Sequence, residues 1–129
     1  MADAVRKRIL IVDDASLVRL YYRSALEGAG FAIDEALNGL EALEKLLVAS
    51  PDLLLVDVNM PKMDGFSFLK ALRRQEGRAS STPALVMSTE AAPQDREAAR
   101  AAGANFYLVK PVPQDILVDC AAMLCGLPR

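Results

Sequence analysis

Five short apolar runs recur along the chain. Each is followed by a longer stretch whose apolar residues return every three or four positions. Arg8-Ile9-Leu10-Ile11-Val12, Phe31 to Ala36, Leu53-Leu54-Leu55-Val56-Asp57, Ala84-Leu85-Val86-Met87-Ser88 and Asn105 to Lys110 predict strands. The run from Phe31 is the most polar and is expected nearest an edge. Between them the spacing predicts helices. The first starts at Ser16 as N-cap, runs through Leu17, Leu20, Tyr21, Ala25 and Leu26, and is stopped by Gly28-Ala29-Gly30. The second covers Gly39 to Ala49, with Leu40, Leu43, Leu46 and Leu47 at helical spacing. The third carries Phe66, Leu69 and Leu72 on one face. Gly77 to Pro83 reads as a polar loop, and Asp95 to Ala102 as an Ala-rich helix closed by Gly103. The last helix covers Pro113 to Cys125, with Pro in its first turn.

Five successive βα units argue for an α/β fold: a parallel sheet with helices on both faces and right-handed crossovers. Strands that are apolar without alternation agree, because both of their faces are covered. With 129 residues, one core is expected and two domains are not. The pattern accounts for about residues 6 to 126. The expectation is a single domain over 1–129 with no output domain.

Composition removes several kinds of chemistry. There is no histidine, so Ser-His-Asp and Cys-His sites, histidine metal sites and an autophosphorylated histidine are all excluded. Net charge is −2 and no dense Lys/Arg cluster marks a nucleic-acid footprint; Arg6-Lys7-Arg8 reads as a solvated entry to the first strand. No apolar run approaches the roughly 20 residues of a membrane span. The N-terminus lacks a signal-peptide pattern, so a cytoplasmic protein is expected. Cys120 and Cys125 lie about 140° apart around the last helix, read as core or near-core residues, and should neither pair nor share a metal.

In a doubly wound sheet the ligand site lies outside the carboxyl ends of the strands. The first strand ends in Asp13-Asp14, the third in Asp57, the fourth in Ser88-Thr89 and the fifth in Lys110. Singly, each has an ordinary reading as turn or loop chemistry. Together they gather three carboxylates, a hydroxyl pair and an ammonium. Two carboxylates about 4 Å apart repel by about 4 kcal/mol at an effective dielectric near 20. Protonation or a hard divalent cation must offset this, and Mg²⁺ suits an all-oxygen site with few protein ligands. A nucleotide or flavin cradle would need a Gly-rich turn after the first strand. Asp13-Asp14-Ala15-Ser16 would instead repel a phosphate.

Four segments, in order and on the right strands, carry a resemblance over nearly the whole chain. They are Ile9-Leu10-Ile11-Val12-Asp13-Asp14, Asp57-Val58-Asn59-Met60-Pro61-Lys62-Met63-Asp64-Gly65, Met87-Ser88-Thr89-Glu90 and Tyr107-Leu108-Val109-Lys110-Pro111. The sequence resembles the response-regulator receiver family. The resemblance implies a flavodoxin-like sheet of order 2-1-3-4-5 flanked by five helices. It implies Asp57 as phosphoacceptor, and Mg²⁺ held by Asp13 (mainly through water), Asp14, Asp57 and the Asn59 carbonyl. Lys110 would pair with phosphoryl oxygens, Ser88 would donate its hydroxyl to them, and Tyr107 would turn inward as the switch. The Lys110-Pro111 bond is expected to be cis. Asn59 and Glu90 would orient the water that removes the phosphoryl group, while Thr89 is bulkier than the family's usual residue and could hinder that water.

The implied partners are a histidine kinase or histidine phosphotransfer domain as donor and a protein target such as a flagellar switch protein. The implied protein is a monomer that catalyses only its own phosphorylation and dephosphorylation. The output face would be Tyr107, Lys110, the helix bearing Arg96 and Arg100, and the outer edge of an apolar stripe, Ile116, Cys120, Met123 and Leu127, otherwise read as core. The alternative is a phosphotransfer intermediate or phosphate sink, docking through Leu17, Leu20 and Tyr21.

Overall fold

The structure is a computed structural model describing residues 6–128; Met1–Val5 and Arg129, the outer parts of the expected 1–129 domain, lie outside the described residues. Five strands, β1 (Arg8–Val12), β2 (Ala32–Ala36), β3 (Leu53–Asp57), β4 (Ala84–Ser88) and β5 (Phe106–Val109), alternate with five α-helices. These are α1 (Ser16–Gly28), α2 (Gly39–Leu46), α3 (Gly65–Arg74), α4 (Pro93–Ala102) and α5 (Gln114–Leu124). All strand pairs are parallel and the order is β2-β1-β3-β4-β5, so β1 and β3 meet at the switch in direction. The expected α/β doubly wound architecture is what is observed.

The unbroken apolar strands divide their side chains between two cores, as period-two geometry requires. Leu10, Val12, Leu54, Val56 and Val86 face Phe68, Leu69 and Leu72 of α3, with Ala42 and Leu46 of α2 and Ala99 of α4. Ile9, Ile11, Leu53, Leu55, Leu85 and Met87 face Tyr22 and Leu26 of α1, with Leu117 and Ala121 of α5. Every residue of β3 and β4 is buried, so truncating one of these leucines would cost about 2–5 kcal/mol. β2, at the edge, is only partly covered.

Local signals differ from the expectation in several places. Ser16 is the first helical residue and Ala15 the cap; alanine has no side-chain acceptor for a cap bond, and its own N–H donates to the Asp13 carboxylate. In α2 the buried residues are Gly39, Ala42 and Leu46, whereas Leu40 and Leu47 are exposed. In α3 Phe68 is fully buried and Phe66 only partly. In α5 the buried stripe is Leu117, Val118, Ala121 and Ala122. Ile116, Met123 and Leu127 face outward, so the stripe read as core is the surface one. The polar loop after α3 contains a 3-10 turn, Arg78–Ser81, and Pro113 caps α5 from outside it. Cys125 is buried and Cys120 partly so, both unpaired.

Candidate functional site

Four of the five strands, β1, β3, β4 and β5, deliver a polar side chain at the carboxyl edge as their apolar runs end. Asp13 follows β1, and its backbone N–H donates to the Ala36 carbonyl (3.1 Å), which extends the β1–β2 ladder by one step. Asp57 is the last residue of β3 and is 6% exposed. After it the chain turns back. The Gly65 N–H donates to the Val58 carbonyl (2.9 Å), and Asp64 caps α3 by accepting the Ser67 N–H (2.8 Å). A Cβ at position 65 would collide with the Asp57 carbonyl oxygen, so glycine is required for this close approach.

One carboxylate oxygen from each of Asp13, Asp14 and Asp57 lies within 4.8 Å of the other two. Lys110, entering from the end of β5, places Nζ 2.6 Å from Asp57 Oδ1 and 3.7 Å from Asp13 Oδ2. The Lys110 backbone N–H donates to the Ser88 carbonyl (2.7 Å), and the Lys110-Pro111 bond is cis, as expected.

Asp13 is 1% exposed; Oδ1 accepts the Ala15 N–H (2.9 Å), while Oδ2 has no hydrogen-bond partner among the described residues. Burial pushes its carboxyl up from the usual range, and the Asp57 and Asp14 charges add to this against the Ala15 hydrogen bond and Lys110. Tyr22, buried beneath the cluster, has its phenol pushed up to about 12 by burial and by the charges of Asp13 and Asp57.

Three carboxylates against one ammonium leave a negative site, and a buried carboxylate oxygen without a donor is costly unless something else meets it. The donor set is oxygen only, as a hard divalent cation requires. The residues fit such an ion.

The other predicted residues stand around this cluster. Ser88, 2% exposed, accepts the Glu90 N–H on its hydroxyl (3.1 Å). Thr89, Glu90 and Asn59 are exposed at the rim, and no hydrogen bond among the described residues joins their side chains to the aspartates. Tyr107 is already inside, its hydroxyl donating to the Glu90 carbonyl (2.7 Å), with the Arg96 guanidinium carbon 5.1 Å from its ring centre. A groove of about 390 Å³ opens beside Lys110, walled by Leu17, Tyr21, Tyr22, Pro111 and Val112.

Sequence reasoning missed Arg19, whose Nη1 donates to the Asp13 carbonyl (2.7 Å) and whose Nε donates to Glu35 (2.6 Å). No motif marks it, since its acceptor is a main-chain oxygen. Tyr22 was open to detection through its helical phase with Val18 and Leu26.

A doubly wound sheet with an acidic pocket at its switch point and a lysine on the central carboxylate defines a signalling domain of the receiver class. Residues 9–122 match the response regulator receiver domain, and the chain belongs to that family. Among similar proteins, the sensor protein EvgS of Escherichia coli K12 is 40% identical over 109 residues, which are 84% of this chain and 9% of EvgS. The transcriptional regulatory protein PrrA of Mycobacterium leprae is 39% identical over 122 residues, 95% of this chain and half (50%) of PrrA. The chain thus spans half or less of these relatives. The structure of the Vibrio cholerae chemotaxis protein CheY4 is similar at a TM-score of 0.87 and 36% identity, covering 93% of this chain and 99% of that one. A Francisella response regulator receiver domain is similar at a TM-score of 0.87 and 27% identity, covering 94% and 98%. No helix among the described residues is long and apolar enough to cross a membrane.

Proposed function

We propose that this receiver domain takes a phosphoryl group from a donor phosphohistidine onto Asp57. The observation that carries this is the convergence of three carboxylate oxygens within 4.8 Å, one of them on the acid that Lys110 already holds. An Asp57 carboxylate oxygen attacks phosphorus, the phosphorus–nitrogen bond breaks, and the donor imidazole leaves with the bonding electrons and takes up a proton. The product on this chain is an acyl phosphate. Asp13, Asp14, Asp57 and the Asn59 carbonyl would hold Mg²⁺, which when bound supplies positive charge between the acceptor and the incoming phosphoryl oxygens. Lys110 neutralises Asp57 before transfer and the phosphoryl oxygens after it.

Readout follows from the Ser88 hydroxyl. A phosphoryl group brings close to two negative charges, and Ser88 meets them by giving up the Glu90 N–H it now accepts. Tyr107 senses this through the Glu90 carbonyl. Asn59 and Glu90, at the exposed rim, orient water for hydrolysis, and Thr89 beside them tunes its access.

The output is phosphorylation-dependent protein contact through α4, β5 and the outward Ile116 and Met123 of α5, as in a chemotaxis-type regulator acting on a flagellar switch protein. The likeness to CheY4 along 99% of that chain supports this. The groove walled by Leu17, Tyr21 and Pro111 favours a second reading, exchange of phosphoryl with a histidine phosphotransfer domain. The unpaired cysteines support a reducing, cytoplasmic setting.

Incubation with acetyl phosphate, followed by intact mass, tests the acceptor. One phosphoryl group is expected with Mg²⁺ and wild-type protein, and none with Asp57→Asn or with metal chelated. Label retained in the variant, or independent of metal, overturns the mechanism. Phosphorylation-dependent capture of a flagellar switch protein, set against rapid back-transfer to a phosphotransfer histidine, separates the two outputs.

A further inference from the structure

The metal triad has one member that the fold does not visibly hold. Asp13 is fixed by its own carboxylate and backbone, and Asp57 by its strand and Lys110. The Asp14 side chain is exposed and takes no hydrogen bond from the described residues. Its position therefore depends on the peptide that precedes it, whose oxygen is the Asp13 carbonyl. That oxygen receives Arg19 Nη1 at 2.7 Å.

Arg19 is not a loose surface charge. Its side chain is 12% exposed, and its Nε is held by Glu35 Oε1 at 2.6 Å from the edge strand β2. The second Glu35 oxygen takes Arg23 Nη1 at 2.5 Å, and Arg23 Nε pairs with Glu27 at 3.1 Å. Two arginines and two glutamates thus balance each other. The guanidinium reaches the acidic site as a hydrogen-bond donor without bringing net positive charge against a cation. An exposed ion pair of this kind would be worth about 0–1 kcal/mol and would leave the site untouched. This one bridges α1, β2 and the peptide between two metal-binding acids.

We propose that Arg19, oriented by Glu35, is a positioning residue for the cation site: it fixes the Asp13–Asp14 peptide and thereby aims the Asp14 carboxylate. Groups that orient ligands from behind typically change metal affinity by about 10–100-fold when removed. This rests on the reading of the acidic cluster as a Mg²⁺ site.

Mn²⁺ serves as the probe, titrated into the protein and followed by its electron paramagnetic resonance signal. Thermal unfolding without metal and acetyl-phosphate labelling across a Mg²⁺ series are measured on the same samples. Arg19→Ala should raise the Mn²⁺ dissociation constant about tenfold or more. The Mg²⁺ concentration for half-maximal labelling should rise by the same factor, while the labelling rate at saturating Mg²⁺ stays within about twofold.

Arg23→Ala, which loses a Glu35 contact but not the Asp13 one, should bind Mn²⁺ as wild type does. Arg19→Lys should recover part of the loss, and together with Glu35→Gln it keeps the test open if the alanine variant folds poorly. Equal Mn²⁺ affinity in the Arg19 variants and wild type overturns the proposal while leaving the metal reading intact. So does a loss shared equally by Arg23→Ala, or a fall in the saturated rate instead of in affinity. Wild-type protein that binds no Mn²⁺ removes the metal reading and this inference together.

Discussion

The two ends of the sheet each gather charge, and they treat it in opposite ways. At the amino end, Arg73 sits partly buried with no carboxylate paired to it among the described residues. Its guanidinium donates to the carbonyls of Gly103 (3.1 and 2.8 Å), Ser80 (3.1 Å) and Thr82 (2.7 Å) and to the Asn105 side-chain oxygen (3.2 Å). Burial lowers its pKa, yet an arginine this basic stays charged, and it joins α3, the 3-10 turn and the α4–β5 connection. At the carboxyl end, two of three clustered carboxylates share one lysine, and a buried oxygen of Asp13 has no hydrogen-bond donor among the described residues. The first cluster is complete within the chain. The second leaves a buried acceptor unmet among the described residues. A buried charge with every hydrogen bond made serves stability, whereas one left short has room for a ligand.

That contrast can be broken by substitution. The largest expected effect is Arg73→Ala, which strands several carbonyls and should lower unfolding free energy by about 3 kcal/mol in urea titration. The rate of Asp57 labelling in the folded fraction should not change; a large loss there would mean the two ends are not separable. Gly103→Ala should cost about 2 kcal/mol, since position 103 has φ of 112° and its Cβ would lie 2.7 Å from the Arg73 side chain.

Substitution at the other end should have the opposite sign. Asp13→Asn, in metal-free buffer, should raise stability by about 1 kcal/mol by removing one of three repelling carboxylates, while abolishing Mn²⁺ binding. A variant less stable than wild type would show that the apo cluster is not under electrostatic strain.

The smallest effect sharpens the picture through pH. Burial raises the Glu35 pKa, but the hydrogen bonds from Arg23 and Arg19 outweigh it and hold the carboxyl below the usual 4.5. A carboxyl held low in the folded state contributes stability that is present above 4.5 and lost as pH falls through its folded value. Glu35→Gln should therefore show a shallower acid limb in a plot of urea midpoint against pH. An unchanged limb would remove Glu35 from the acid response.

The strands were legible because a run such as Leu53-Leu54-Leu55-Val56 has no polar side to misassign. Helix phase was less so. In α5 the stripes Ile116-Cys120-Met123 and Val118-Ala122-Cys125 have the same period, and spacing alone suggested the wrong one. The helix lies close to α1 and the sheet, and alanines suit the narrow gap, which spacing does not reveal. The site was legible in its carboxylates, lysine and hydroxyls, whose types announce their chemistry. Arg19 was not, because a side chain that bonds to a main-chain oxygen leaves no paired residue in the sequence.

Gly65 carries a consequence for how this protein can vary over generations. The residue that tolerates least near the end of β3 need not be the charged one. A methyl group at position 65 would press on the Asp57 carbonyl and so displace Asp57 from behind. A Cβ at this position is excluded by the turn itself, so the persistence of glycine in any descendant would record the fold and not an activity.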